Sequence, residues 1–63
     1  MTVNGEPYHS SAATLFALVD ELGYGDAKIA TALNGNFIPA TARRETQLSA
    51  GDQVEIVAPR QGG

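Results

Sequence analysis

Thr14-Leu15-Phe16-Ala17-Leu18-Val19-Asp20-Glu21-Leu22-Gly23 is the stretch on which the fold turns. Leu15, Leu18, Val19 and Leu22 stand at i, i+3, i+4 and i+7, one apolar stripe on a 3.6-residue period. Thr14 is placed to cap the first turn through its hydroxyl, and Gly23 to close the last in the left-handed conformation. Asp20 and Glu21 are expected to face water. The polar face carries no Lys or Arg, which argues against a membrane-surface helix and for one packed on a core.

Working outward, each side of the helix carries an Asn-Gly dipeptide flanked by strand-like residues, the strongest short signal for a two-residue hairpin. Met1-Thr2-Val3 leads into Asn4-Gly5, and a return strand is expected through Glu6-Pro7-Tyr8-His9. Pro7 has no N–H to donate, which places that strand at a sheet edge. Ser10 to Ala13 is a polar connection into the helix, and Tyr24 to Lys28 is a loop leaving it. Ile29 to Leu33 reads as a strand, Asn34-Gly35 as the second turn, and Asn36-Phe37-Ile38 as a short return stopped by Pro39. Ala40 to Gln47 has no sustained period and is expected to be loop with a helical turn, after which Leu48 rejoins the core. Ser49-Ala50-Gly51-Asp52 is turn chemistry. Gln53 to Val57 alternates, with Val54 and Ile56 on the helix side.

This order describes an α+β domain, a mixed sheet of four to five strands packed on one helix. The first and last strands must neighbour each other to close the core. Residues 1–63 are expected to form one domain with a flexible tail over 58–63. So short a chain has a net stability of only about 3–5 kcal/mol from its core and no room for a deep enzyme cleft.

Composition excludes several functions. The formal charge is −3 with four Lys and Arg residues, too few to neutralise a run of phosphates, so nucleic-acid binding is not expected. No apolar stretch is long enough to span a bilayer and the first residues lack a signal-peptide layout, so no membrane role and a cytoplasmic location are expected. With no cysteine there is neither a disulfide nor an iron–sulfur cluster, and no metal site is expected. His9, the single histidine, reads as a surface or half-buried residue. Ser10, Ser11 and Ser49 lack the context of a nucleophile. Asp52 and Glu55 belong to a turn and an outer strand face and do not make an acid pair. Arg43-Arg44, beside Glu45, reads as a solvated loop pair rather than an anion clamp. Self-contained catalysis is therefore not expected.

Two features remain. Ile29, Thr31 and Leu33 share one face of their strand, while Ala30 and Ala32 share the other with no charge on it. A one-sided sheet normally turns polar residues outward, so a partner is expected on this second face; Val57 and Phe37 are further apolar residues whose facing the pattern does not fix. The other feature is Gln61-Gly62-Gly63, where the last two residues have no Cβ and can enter a narrow channel. If the chain ends there, it presents a main-chain carboxylate on a thin stalk.

The succession Asn4-Gly5-Glu6, Thr14-Leu15 opening an apolar helix, Ala32-Leu33-Asn34-Gly35, Ile38-Pro39, Thr46 with Leu48, Gly51-Asp52, Val54-Glu55-Ile56-Val57 and terminal Gln61-Gly62-Gly63 resembles the ThiS family, sulfur carriers of thiamin thiazole synthesis. The resemblance covers nearly the whole chain and rests on the combination rather than on any one piece. It implies a ubiquitin-like β-grasp fold and a carrier that is itself no enzyme and binds no cofactor. It also implies that a ThiF-like adenylating enzyme couples the Gly63 carboxylate to AMP from ATP. A sulfur donor protein then converts it to a thiocarboxylate, which thiazole synthase consumes. Gln61, Gly62 and Gly63 would thread into the partners' active sites, and the free carrier would be a monomer.

The chain departs from the family pattern in places. Its first strand begins late, so that Met1 is expected to pack where an aliphatic residue usually sits. Ala40 stands where Arg is frequent, an aromatic residue often found near Arg43 is absent, and Pro59-Arg60 is more rigid and basic than many tails. Two further functions fit a diglycine tail. One is the small subunit of molybdopterin synthase, disfavoured by the short length and by the approach Val57-Ala58-Pro59-Arg60-Gln61. The other is a ubiquitin-like modifier or interaction module.

Overall fold

The computed structural model describes residues 1–25 and 28–58. Strands β1 (Thr2–Val3) and β2 (Glu6–Pro7) form the first hairpin, followed by α1 (Leu15–Glu21). Then come β3 (Ala30–Leu33), β4 (Asn36–Ile38), a 3-10 helix over Ala40–Glu45, and β5 (Gln53–Val57). The five strands form one mixed sheet in the order β2-β1-β5-β3-β4. β5 lies at its centre, parallel to β1 and antiparallel to β3.

Both hairpins form as their dipeptides dictate. Asn4 and Gly5 have φ of 53° and 83°, and Asn34 and Gly35 have 51° and 85°. Positive φ at both central residues gives a turn whose twist matches that of the flanking strands. β2 ends at Pro7, two residues earlier than expected, although Tyr8 still donates its N–H to the Met1 carbonyl at 3.0 Å. The proline places β2 at the sheet edge, as expected from its missing donor. β3 begins at Ala30, and β4 stops at Ile38 before Pro39.

The helix is fixed by a side-chain cap at its start and by backbone bonds at its end. Thr14 Oγ1 accepts the Ala17 N–H at 3.1 Å. At the other end Gly23, with φ of 90°, donates to Asp20 O at 3.1 Å and Tyr24 donates to Val19 O at 3.0 Å, a Schellman closure. Leu15, Leu18 and Val19 turn inward against Val54 and Ile56 of the central strand. Leu22, the fourth member of the stripe, is half-buried, as are Leu48 and Met1, which pack at the margin of the same cluster. The stretch expected to be loop with a helical turn is a six-residue 3-10 helix packed beside α1. Beyond it Leu15 N–H bonds to Thr46 O and Leu48 N–H to Ala13 O, each at 2.9 Å, stitching the start of α1 to the segment that feeds β5.

Candidate functional site

The site is built on the outgoing end of β5. Its alternation is regular, with Val54 and Ile56 buried beneath α1 and Gln53, Glu55 and Val57 on the outer face. The antiparallel register sets Ala32 opposite Glu55 on one side and Phe37 on the other, and Ala30 opposite Val57. These residues line a shallow depression of about 360 Å³ on the face away from the helix. Phe37 is 69% exposed and Val57 63%, the most exposed of the large apolar side chains among the described residues. Val57 reaches this face through the alternation of β5, whereas Phe37 is set on it by the register of β4 against β3.

Glu55 is an exposed carboxylate inside this apolar surface. Ala58 is the last described residue, so most of the tail expected over 58–63, including Gln61, Gly62 and Gly63, lies outside the described residues.

The strand is clipped to both turns by asparagine side chains, a role the turn signal alone does not announce. Asn34 Oδ1 accepts the Gln53 N–H at 2.9 Å and its Nδ2 donates to Asp52 Oδ1 at 3.1 Å. Asn4 does the same farther along, taking the Ile56 N–H at 2.7 Å on Oδ1 and giving Nδ2 to the Ile56 carbonyl at 3.2 Å.

Of the polar side chains weighed for catalysis, Ser10 and Asp52 are engaged in structural hydrogen bonds. Asp52 takes the Ser49 N–H at 2.7 Å, and this bond, with that from Asn34, holds its carboxyl below the usual range. Glu55 stands apart on the outer face, so the two carboxylates do not form an acid pair. Glu21 accepts from Tyr8 Oη at 2.6 Å and Ser10 Oγ at 2.9 Å. Those bonds, Tyr8's first, lower the Glu21 pKa, and the same contact raises that of the Tyr8 phenol. His9 is exposed. Among the described residues no cluster of His, Cys, Asp or Glu could hold a metal ion, and no helix is long and apolar enough to cross a membrane.

Arg43 departs from the expectation of a solvated loop pair, whereas Arg44 is exposed as expected. Arg43 is drawn inward, with Nε donating to Thr31 Oγ1 at 3.1 Å and Nη2 to Ile29 O at 2.8 Å. Thr31, 1% exposed, is a buried polar side chain whose oxygen both accepts this bond and donates to Ile38 O at 2.8 Å. Arg44 is exposed, with its guanidinium 4.1 Å from the centroid of the Phe16 ring. A fork of donors suits two acceptors held at fixed separation, which accounts for Arg at position 43.

A family model described as the ThiS family matches residues 1–63. The chain belongs to the ThiS family. Members of the ThiS family are small sulfur carriers rather than enzymes. The crystal structure of a thiamine biosynthesis protein, ThiS, from Geobacter metallireducens superposes with a TM-score of 0.80 at 30% identity, covering 98% of this chain and 96% of that one. The ubiquitin-like β-grasp fold of ThiS is therefore that of the sheet and helix described above. The chain is also 36% identical over 64 residues to a thiazole synthase from Paramagnetospirillum magneticum. That match takes in all of this chain but spans only 20% of that protein's length.

Proposed function

We propose that this sulfur carrier works through the main-chain carboxylate of Gly63 in thiamin thiazole synthesis in the cytoplasm. A ThiF-like enzyme would bring ATP. A carboxylate oxygen of Gly63 attacks the α-phosphorus, the mixed anhydride with AMP forms, and pyrophosphate leaves. The reason for activation is that a carboxylate resists nucleophiles until its oxygen becomes a leaving group. Sulfur from a donor protein then attacks the acyl carbon and displaces AMP. The donated atom is the outer sulfur of a persulfide, so the product is an acyl disulfide. A second thiol attacks the donor's sulfur, forms a disulfide with it and thereby supplies the two electrons that release a thiocarboxylate, whose anionic sulfur is nucleophilic as a thiolate is. Thiazole synthase consumes it.

Family membership over the whole chain is the observation that carries this reading. The name of the Paramagnetospirillum magneticum relative supports thiazole synthase as the consuming partner, in preference to molybdopterin synthesis. The apolar face of Ala30, Ala32, Phe37 and Val57 supports docking beside the tail, because it adjoins the point at which the chain runs on toward Gly63. Gly62 and Gly63 allow the close backbone approach that threading into an active site requires.

Incubation with ATP, the adenylating enzyme and a sulfur source is expected to exchange one oxygen for sulfur, read by intact-protein mass spectrometry. Deleting Gly63 or appending a residue after it should abolish the exchange. Retention of the reaction in either variant overturns the proposal. So does a mature protein, purified from its own cells, that does not end at Gly63.

A further inference from the structure

The two flanks of β5 are held by different means near its end. Toward β3 the ladder continues to the pair Ala30–Val57. Toward β1 the neighbouring strand has already turned away at Asn4-Gly5, after a last main-chain bond from Asn4 N–H to the Val54 carbonyl at 2.8 Å. In a continuing parallel ladder the same residue would accept the Ile56 N–H on its own carbonyl oxygen. Here its side chain does so, at 2.7 Å, and the amide nitrogen also serves the Ile56 carbonyl at 3.2 Å. The carboxamide thus offers the donor and acceptor of a strand residue where no strand remains.

Turn chemistry alone does not demand this residue. Gly, Asp and Asn all accept the positive φ at the first turn position. Of the three, only Asn can fill both sides of the Ile56 peptide. Gly has no side chain, and an ionised Asp accepts but cannot donate.

We propose that Asn4 is a positioning residue for the tail: its side-chain clasp on Ile56 holds the end of β5 on the flank that β1 has left, and so fixes the anchor from which the chain runs on toward Gly63. A strand end paired on one flank opens more readily than one paired on both. A reactive group on a tether anchored farther back is spread through a larger volume, so its effective concentration at a partner's site falls. The consequence for adenylation rests on the reading of Gly63 given above.

The test uses the full chain with Asn4→Gly, which keeps the turn and removes the clasp, and Asn4→Asp, which keeps the turn and one acceptor. The native sequence has no cysteine, so spin labels on Asn36→Cys and Gln61→Cys report the tail's direction without interference. In Asn4→Gly the Ile56 amide is expected to exchange about tenfold faster or more. The 36–61 distance distribution should shift or broaden, and the KM for the carrier in ATP-dependent pyrophosphate release should rise roughly 3–10-fold with kcat unchanged. Asn4→Asp should fall between.

Faster exchange at Ile56 with an unaltered distance distribution overturns the assignment of Asn4. An altered distribution in a protein that the adenylating enzyme ignores even as wild type supports the clasp and removes the sulfur-transfer reading instead.

Discussion

Arg43 Nη2 donates to the main-chain carbonyl of Ile29 at 2.8 Å, one residue before β3 begins. Its Nε reaches Thr31 Oγ1, and through that hydroxyl the guanidinium is joined to the Ile38 carbonyl of β4. One side chain of the 3-10 helix therefore ties down both strands of the second hairpin. Hydrogen bonds to a charged donor contribute about 1.5–3 kcal/mol, so Arg43→Ala should lower the urea-unfolding free energy by about that amount. Arg43→Lys should restore only part of it, because an ammonium lacks the rigid fork. Arg44→Ala, which removes an exposed cation from the Phe16 face, should cost about 1 kcal/mol or less.

Leu18 is fully buried between α1 and the central strand. Its truncation to Ala removes apolar burial and leaves a cavity, a loss of about 2–5 kcal/mol. That approaches the whole stability expected of so small a core, about 3–5 kcal/mol. Circular dichroism at 37 °C should show Leu18→Ala substantially unfolded, while Leu22→Ala, at the half-buried margin, remains folded.

The Tyr8–Glu21 contact makes stability depend on pH at the acid end. Hydrogen bonds from Tyr8 and then Ser10 lower the Glu21 pKa in the folded protein. A lowered folded-state pKa gives stability that is present above the unfolded-state value and lost as pH falls through the folded one. Asp52 acts in the same direction through Ser49 and Asn34. Urea midpoints measured downward from pH 6 should therefore fall, and Tyr8→Phe should flatten the part of that decline due to Glu21. An equally steep decline in Tyr8→Phe would show that this contact is not responsible.

Phe37 separates docking from folding. At 69% exposure it contributes little to the core, and Phe37→Glu should change stability by less than about 0.5 kcal/mol. Placed beside Ala32 in the apolar depression, the new charge should weaken binding of a carrier partner about tenfold or more by titration calorimetry. Unchanged affinity would remove the outer face from the interface.

Most of the architecture was legible because short-range chemistry dictates it. The Leu15, Leu18 and Val19 spacing, the Thr14 and Gly23 caps and the two Asn-Gly turns act within a few residues, and each appears as expected. The alternation of β5 likewise announced Val54 and Ile56 as core. What escaped was set by contacts distant in sequence. Arg43 looked solvated because its acceptors, the Ile29 carbonyl and Thr31, lie across a hairpin. Asn4 looked fully explained by its turn, while its amide serves Ile56 at the far end of the chain. The outer face was legible as apolar from Ala30 and Ala32, and the alternation of β5 puts Val57 on it, but placing Phe37 there needed the register of β4 on β3.

The position of β5 bears on how the molecule comes into being. During synthesis both hairpins and the helix emerge before the strand that must lie between them, and neither hairpin has its central neighbour until β5 arrives. Such pairings, distant along the chain, are slow to form because loop-closure entropy is lost before they compensate it. A ribosome stalled or a chain cleaved ahead of Gln53 would thus release a polypeptide without a core, exposed to proteases. Loss of β5 takes Val54 and Ile56 with it, so the hairpins and the helix are left without the two residues against which Leu15, Leu18 and Val19 pack.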